Sequence, residues 1–494
     1  MVEAAGTGRF WDRIGREAAW LVAGQALTAL GGLIALRVLT GLYPRDVYGL
    51  AWLFINGAGF AVTMFTGPLG QALNRFYHDD GGQERLDGLL GLVWRFEAAA
   101  FVSVGALYYV VVFSLGSLRG EAWLSYLVMP LYFCFLSFMN IAQGLLNTSR
   151  RRGWRVALLA AEAWLKPAGA LAFCLLWKPD VNSFVLGYAS ASVVTGTAGA
   201  YLTGGYGSRP PFRLPMPDGR RVREVLAYGI PWAGFAGGNW ALQVSDRYLV
   251  NLFWGAAMTG AYVAAYQVGS ALFQLLGGVF GPLVQPVIFN RAGRSEAAGA
   301  ESLSLSVRAF AWISLPVLAV FVVMRGWLLR WLTAPAYWEG GEAVLLIGLG
   351  VYLWVLGDRF SQAFLVVRRS GAMMAITLAA AVVNMVINLF LVPRVGMTGA
   401  ALSTLVAYAA YAAGALYFGK KAVAWKFPLG SYILAGGVAG FACVCGVSAR
   451  ELMFAGRFDL FSAGVVGFVY LSALALGLWL FRRSAMLDLR LLTR

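Results

Sequence analysis

Long apolar runs recur along the whole chain, broken by short polar or Gly/Pro stretches such as Tyr43-Pro44-Arg45-Asp46 and Lys178-Pro179-Asp180. Each run is about 20 residues or more, the length at which a helix crosses the hydrocarbon core of a bilayer. The pattern predicts fourteen spans, at 17–41, 48–72, 87–113, 122–147, 154–177, 182–204, 224–253, 258–289, 304–332, 342–366, 372–392, 397–418, 428–448 and 460–481. Backbone groups in lipid must pair within their own segment, so helices are expected. The apolar/polar alternation that marks a membrane barrel is absent. The expected fold class is an all-α polytopic membrane protein of about 14 transmembrane helices.

Composition agrees with this pattern. Of the 494 residues, 60% are hydrophobic and 13% charged, against about 25% charged in a soluble domain. Residues 1–17 are polar, and the first apolar run lacks a small-residue cleavage site, so it is expected to be a retained helix. The four cysteines, Cys134, Cys174, Cys443 and Cys445, lie inside apolar runs and have no metal or redox spacing.

The net charge of +16 would suggest nucleic acid in a soluble protein. The distribution of that charge decides otherwise. Of 39 Lys and Arg residues, 25 fall on the side of the N-terminus, 6 on the other side, and the rest within spans. That bias predicts both termini in the cytoplasm and explains the basic balance without nucleic acid.

The chain also repeats itself. Gly67-Pro68-Leu69-Gly70-Gln71 leads to Asn74-Arg75, and 214 positions later Gly281-Pro282-Leu283-Val284-Gln285 leads to Asn290-Arg291. Arg37-x-Leu39 before Tyr48-Gly49 is matched by Arg247-x-Leu249 before Gly260-x-Tyr262. Gln143, Arg151 and Gly153 are matched by Gln362, Arg369 and Gly371. Spans 1 and 7 both start on the inner side, so the copies have the same orientation and form a parallel repeat, an architecture of transporters. The expected organisation is an N-lobe at 1–204, a Pro-rich cytoplasmic linker at 205–223, and a C-lobe at 224–419. Two extra helices and a cytoplasmic tail follow at 420–494.

Several motifs carry a family resemblance: Tyr48-Gly49 after Arg37, Asn74-Arg75-Phe76-Tyr77, and Pro231 ahead of Asp246-Arg247-Tyr248. Asn384-x-x-x-Asn388-Leu389, Val392-Pro393-Arg394 and Gly396-x-x-Gly399-Ala400-Ala401 add to them. In this order and spacing the chain resembles, over essentially its whole length, the polysaccharide transporter branch of the multidrug/oligosaccharidyl-lipid/polysaccharide exporter superfamily. Wzx-type O-antigen flippases are its best-known members. The resemblance implies two six-helix lobes in a V that alternates between inward and outward opening. It implies carriage of a polyprenyl-diphosphate-linked oligosaccharide across the bacterial inner membrane for surface polysaccharide such as O-antigen or exopolysaccharide. Membrane lipids and the polysaccharide polymerase or ligase machinery are the implied partners. The lipid II flippases, also with 14 spans, and the multidrug exporters, usually with 12, are neighbouring families and alternative readings.

A charge at mid-bilayer costs about 2.5–3.5 kcal/mol even on lenient scales, so intramembrane charges mark candidate sites. Arg95, Lys166, Arg359, Arg37 and Arg247 are candidate cavity cations for a diphosphate, since guanidinium and ammonium groups bind phosphate oxygens well. Asp246, Glu162 and Asp358 are candidates for coupling to H⁺ or Na⁺, and no other cofactor is expected. Asn384, aligned with Lys166 at an offset of 218, and Asn388 are candidates for a polar cavity wall. Each has a plainer reading. Glu162 and Lys166 have the spacing of an ordinary intrahelical pair, the acids balance adjacent cations, and the asparagines suit interhelical bonding. Arg95 and Glu97 do not face each other on a helix, nor do Asp358 and Arg359. His78, the one histidine, is too isolated for a metal site. Short outer loops without paired carboxylates argue against a membrane glycosyltransferase.

Overall fold

In a computed structural model the chain is described at residues 2–77, 82–114, 120–149, 151–204, 213–367, 369–454 and 458–480. His78, Arg150, Arg368, residues 205–212 of the expected linker and residues 481–494 of the expected tail lie outside the described residues. Among those described there is no strand. The helices run α1 (Val2–Leu42), α2 (Arg45–Ala61), a π turn (Val62–Thr66), α3 (Gly67–Phe76), α4 (Gly82–Ser114), α5 (Trp123–Thr148), α6 (Arg152–Leu176) and α7 (Val181–Gly204). They continue with α8 (Gly219–Arg294), α9 (Glu296–Leu332), α10 (Gly341–Val366), α11 (Ser370–Ala422), α12 (Leu429–Phe454) and α13 (Leu460–Leu480).

Local chemistry sets several boundaries. Asp180 caps α7 through the backbone N–H of Ser183 at 2.8 Å, and Asp218 caps α8 through that of Arg221 at 2.7 Å. Ser295 caps α9 through Ala298 at 3.1 Å, and Asp459 caps α13 through Ser462 at 2.6 Å. Each satisfies an N–H that the helix itself leaves open. Between α2 and α3 the helix widens into a π turn just before Gly67-Pro68. Proline donates no N–H and its ring crowds the preceding turn, and the wider turn relieves that. The second copy of the motif, Gly281-Pro282, stays α-helical.

Among the described residues, eleven helical runs are long and apolar enough to cross a membrane. The helix at the predicted span 182–204 is not one of them. It buries Asn182, Ser183, Ser192, Thr195 and Thr203 against its neighbours, and a helix wrapped by protein does not need an apolar surface for lipid. Two of the eleven, Gly219–Arg294 and Gly371–Ala422, are 76 and 52 residues long, well beyond the roughly 20 of one crossing. Each is interrupted by one glycine with positive φ: Gly255 at φ 82° and Gly396 at φ 60°. A side chain at either would be strained. Both fall where the hydrophobic pattern breaks, between spans 7 and 8 and between spans 11 and 12.

The chain divides into two compact units, residues 1–260 and 261–494. Residues 224–260, which the repeat pattern allots to the second lobe, thus group with the first unit. Tyr248 donates to the Leu53 carbonyl at 2.9 Å, and Trp240 lies 4.5 Å from Phe60. Within the first unit α7 packs against α5 and α6, and α1 against α6. Within the second, α10 packs on α9 and α11, while α12 and α13 pair and lean on α9. Tyr470 donates to the Pro316 carbonyl at 2.7 Å and Trp327 to the Ser462 hydroxyl at 3.2 Å, which ties the C-terminal pair down.

Candidate functional site

In the first unit, α6 carries Glu162 and Lys166 one turn apart. The Lys166 ammonium lies 2.5 Å from a Glu162 carboxylate oxygen, both side chains about 15% exposed. The same ammonium lies 5.8 Å from the ring centre of Tyr132 on α5 and 5.9 Å from that of Tyr188 on α7. Behind it, Tyr188 stacks on Phe184 at 5.0 Å, and Trp52 meets Tyr188 edge-on at 5.9 Å. This is a desolvated lysine gripped by one carboxylate and boxed by aromatic faces, both of which favour the charged ammonium. An ammonium has three donors, so one acid does not exhaust it.

In the second unit, α10 carries Asp358 and Arg359. Adjacent positions point to different sides of a helix, yet the guanidinium folds back and pairs with the Asp358 carboxylate. Arg359 is 5% exposed, its Nε is buried without a hydrogen-bond partner, and the Asp358 side chain is 40% exposed. The guanidinium sits over the Phe280 ring at 5.9 Å. A Cβ on Gly281 would come within 3.1 Å of it, so the second copy of the duplicated Gly-Pro motif makes room for this arginine. Trp354, one turn before Asp358, stacks on Tyr411 at 4.4 Å. Each unit thus holds a mostly buried cation, an acid on the same helix, and aromatic walls.

The other predicted residues are placed apart from these clusters. Arg95 is exposed and donates to the Leu214 carbonyl at 2.7 Å, holding the segment that leads into α8. Glu97 points elsewhere and is 3% exposed, because an offset of two residues puts side chains on opposite sides of a helix. Its Oε2 accepts from the Ser137 hydroxyl at 2.5 Å, while Oε1 is buried with no partner. Glu97 was not among the expected site residues; its place deep in span 3, whereas Asp87 stands at the span's edge, was the available signal. Arg37 is exposed near the end of α1. Asp246 is buried and accepts from the backbone N–H of Arg247 at 2.8 Å. Asn384 and Asn388 are buried and joined at 3.0 Å, and Ser403 donates to the Asn388 side-chain oxygen at 2.5 Å. That bond links the two arms of α11 on either side of Gly396.

Residues 14–290, more than half of the chain, match the family described as polysaccharide biosynthesis protein. The chain belongs to this family. Among solved structures it is similar to the lipid II flippase MurJ in an inward closed conformation. That match has 14% identity and a TM-score of 0.76, and covers 94% of this chain and 99% of that one. It is also similar to an inward-facing multidrug resistance MATE family transporter of the MOP superfamily, at 14% identity and TM-score 0.64, covering 80% and 94%. A MOP superfamily transporter from Pyrococcus furiosus matches at 14% identity and TM-score 0.60, covering 83% and 94%. At such identity these likenesses establish the fold: a helical, multi-pass membrane protein of the MurJ and MATE architecture. No curated protein matches the chain in sequence.

Proposed function

We propose that this member of the polysaccharide biosynthesis family is a flippase rather than an enzyme. It moves a polyprenyl-diphosphate-linked oligosaccharide from the cytoplasmic to the outer leaflet of the bacterial inner membrane by alternating access. The observation that carries the reading is the pair of desolvated cations, Lys166 and Arg359, one per unit on membrane-spanning helices. Each is held by an acid that a stronger anion can displace. A diphosphate offers more negative charge and more acceptor oxygens than one carboxylate, and both groups suit phosphate. Exchange of Glu162 and Asp358 for diphosphate would load the cations. Return of the acids would release the headgroup. The displaced acids, with Asp246, are where H⁺ or Na⁺ would enter the cycle.

The same proposal takes the chain as fourteen crossings, with Gly255 and Gly396 as turns and both termini cytoplasmic. Arg37, Arg95 and Arg247 are the further cations of the path, and Asn384 and Asn388 part of its polar wall. Polymerase or ligase machinery would receive the product. The likeness to MurJ favours a lipid II-like substrate as the second reading. A cation-lined path repels cationic drugs, which disfavours the exporter reading.

Translocation of a fluorescent polyprenyl-diphosphate sugar in vesicles tests this directly. Wild type is expected to expose the label to the outer leaflet, and Lys166→Ala and Arg359→Ala to slow this by about tenfold or more, the loss of one charge-assisted contact of about 1.5–3 kcal/mol. No movement by wild type with several glycans and imposed ion gradients would sink the proposal.

A further inference from the structure

The first unit holds a cavity that the cation sites do not use. It lies among α2, α4, α5 and the first arm of α8, with a volume of about 440 Å³. No acid or base lines it. Its polar lining residues are Tyr108, Tyr126, Tyr248 and Asn251, of which Tyr248 already donates to the Leu53 carbonyl. The remaining walls are apolar, Ala58, Met129, Ala61 and Phe133 among them. The lining on α2 runs from Leu50 to Ala61, which at 1.5 Å per residue is a length of about 16 Å. The cavity is thus long enough to take a chain lengthwise. One group of the lining is unused: the Tyr108 hydroxyl is buried with no hydrogen-bond partner.

We propose that this cavity binds an isoprenoid chain, the uncharged lipid segment of the transported substrate, with the Tyr108 hydroxyl meeting the polar end of that chain. The inference rests on the proposed flippase reading and deepens it, because the diphosphate has its place at the cations and its lipid needs another. Edges and faces of Phe54, Tyr126 and Phe133 pack against the methyl branches and double bonds that an acyl chain lacks. A cavity of this size lined mainly by apolar side chains suits an apolar ligand.

The test is photolabelling of the full chain in phosphatidylethanolamine/phosphatidylglycerol vesicles with a diazirine-bearing polyprenol, read by peptide mass spectrometry. Label is expected on the lining of α2, α4 and α5, and excess unlabelled polyprenol should suppress it. A side chain on Gly57 would meet only the Tyr248 hydroxyl, at 3.4 Å, and one on Gly105 only Pro130, at 3.5 Å. Gly57→Leu and Gly105→Leu should therefore fill the cavity with the fold intact, checked by elution volume and Tm, and each should cut labelling about fivefold or more. Tyr108→Phe should weaken labelling without filling anything. Label confined to other helices, equal suppression by excess phospholipid, or full labelling of both folded glycine variants would overturn the site. Labelling without glycan movement would leave the site standing and remove the flippase reading; movement without labelling would do the reverse.

Discussion

Glu162 and Lys166 show how one pair serves both stability and function. Sequence spacing alone gives an intrahelical ion pair. Burial against Tyr132 and Tyr188 raises its stakes, because a desolvated charge that loses its partner is expensive while removal of both can be tolerated. Lys166→Ala is therefore expected to lower Tm by more than Lys166→Ala/Glu162→Ala does, with the single variant costing about 3–5 kcal/mol. Thermal unfolding in detergent measures this. Equal Tm values for the two variants would mean that the pair is effectively solvated and no latch. Arg359 is a different case: the sequence placed it beside Asp358 on a helix where neighbours do not face each other, and only the flexible arginine stem lets them pair. Its buried Nε and the space left by Gly281 are properties of packing.

Among the elements, the glycine breaks carry the clearest expectation. Gly255 (φ 82°) and Gly396 (φ 60°) occupy backbone regions that L side chains reach only at a cost of about 1–3 kcal/mol. Gly255→Ala and Gly396→Ala should each lower Tm. Gly430→Ala, at a position with open space and ordinary backbone, should be neutral or raise it, because alanine favours the helix. A thermal scan of the three variants decides; unchanged Tm for the first two would mean that the breaks are not held by backbone geometry. The hydrophobic pattern had already put breaks at these places. It could not show that one residue makes each break, since a tight turn leaves little polar sequence behind. The helix at 182–204 is the converse: its existence was legible, but Ser183, Ser192, Thr195 and Thr203 are buried against protein, so hydropathy underrates it.

For the whole molecule, the bias of Lys and Arg predicts which ends face the cytoplasm. Single cysteines in a chain cleared of Cys134, Cys174, Cys443 and Cys445 test it with a membrane-impermeant thiol reagent on intact cells. Cysteine in place of Lys178 or Arg394 should label from outside, and in place of Arg294 or Lys426 only after permeabilisation. Arg394 is the sharpest position, because it lies two residues from Gly396 and labels from outside only if α11 crosses twice. Protection there would reduce the count of crossings and break the parallel between the halves. The expected repeat rests on Gly-Pro and Asn-Arg pairs that recur in the same order in apolar sequence. The division at residue 260 was not legible there, because it depends on contacts such as Tyr248 to Leu53 made by residues 195 positions apart.

What the sequence determined alone is the helical, multi-pass membrane class, the breaks at Gly255 and Gly396 and the set of charges within apolar runs. These follow from the length of apolar runs, the need of backbone groups in lipid to bond within their own helix and the cost of charge there, all local quantities. What only the tertiary structure decided is which charge meets which group. Arg95 went to a backbone carbonyl, Glu97 to a serine forty positions away, the asparagines to Ser403, Lys166 to the rings of Tyr132 and Tyr188, and Arg359 over Phe280. These outcomes depend on which face of each helix turns inward and on what stands opposite, and when most faces are apolar the period of the sequence does not mark the inward one.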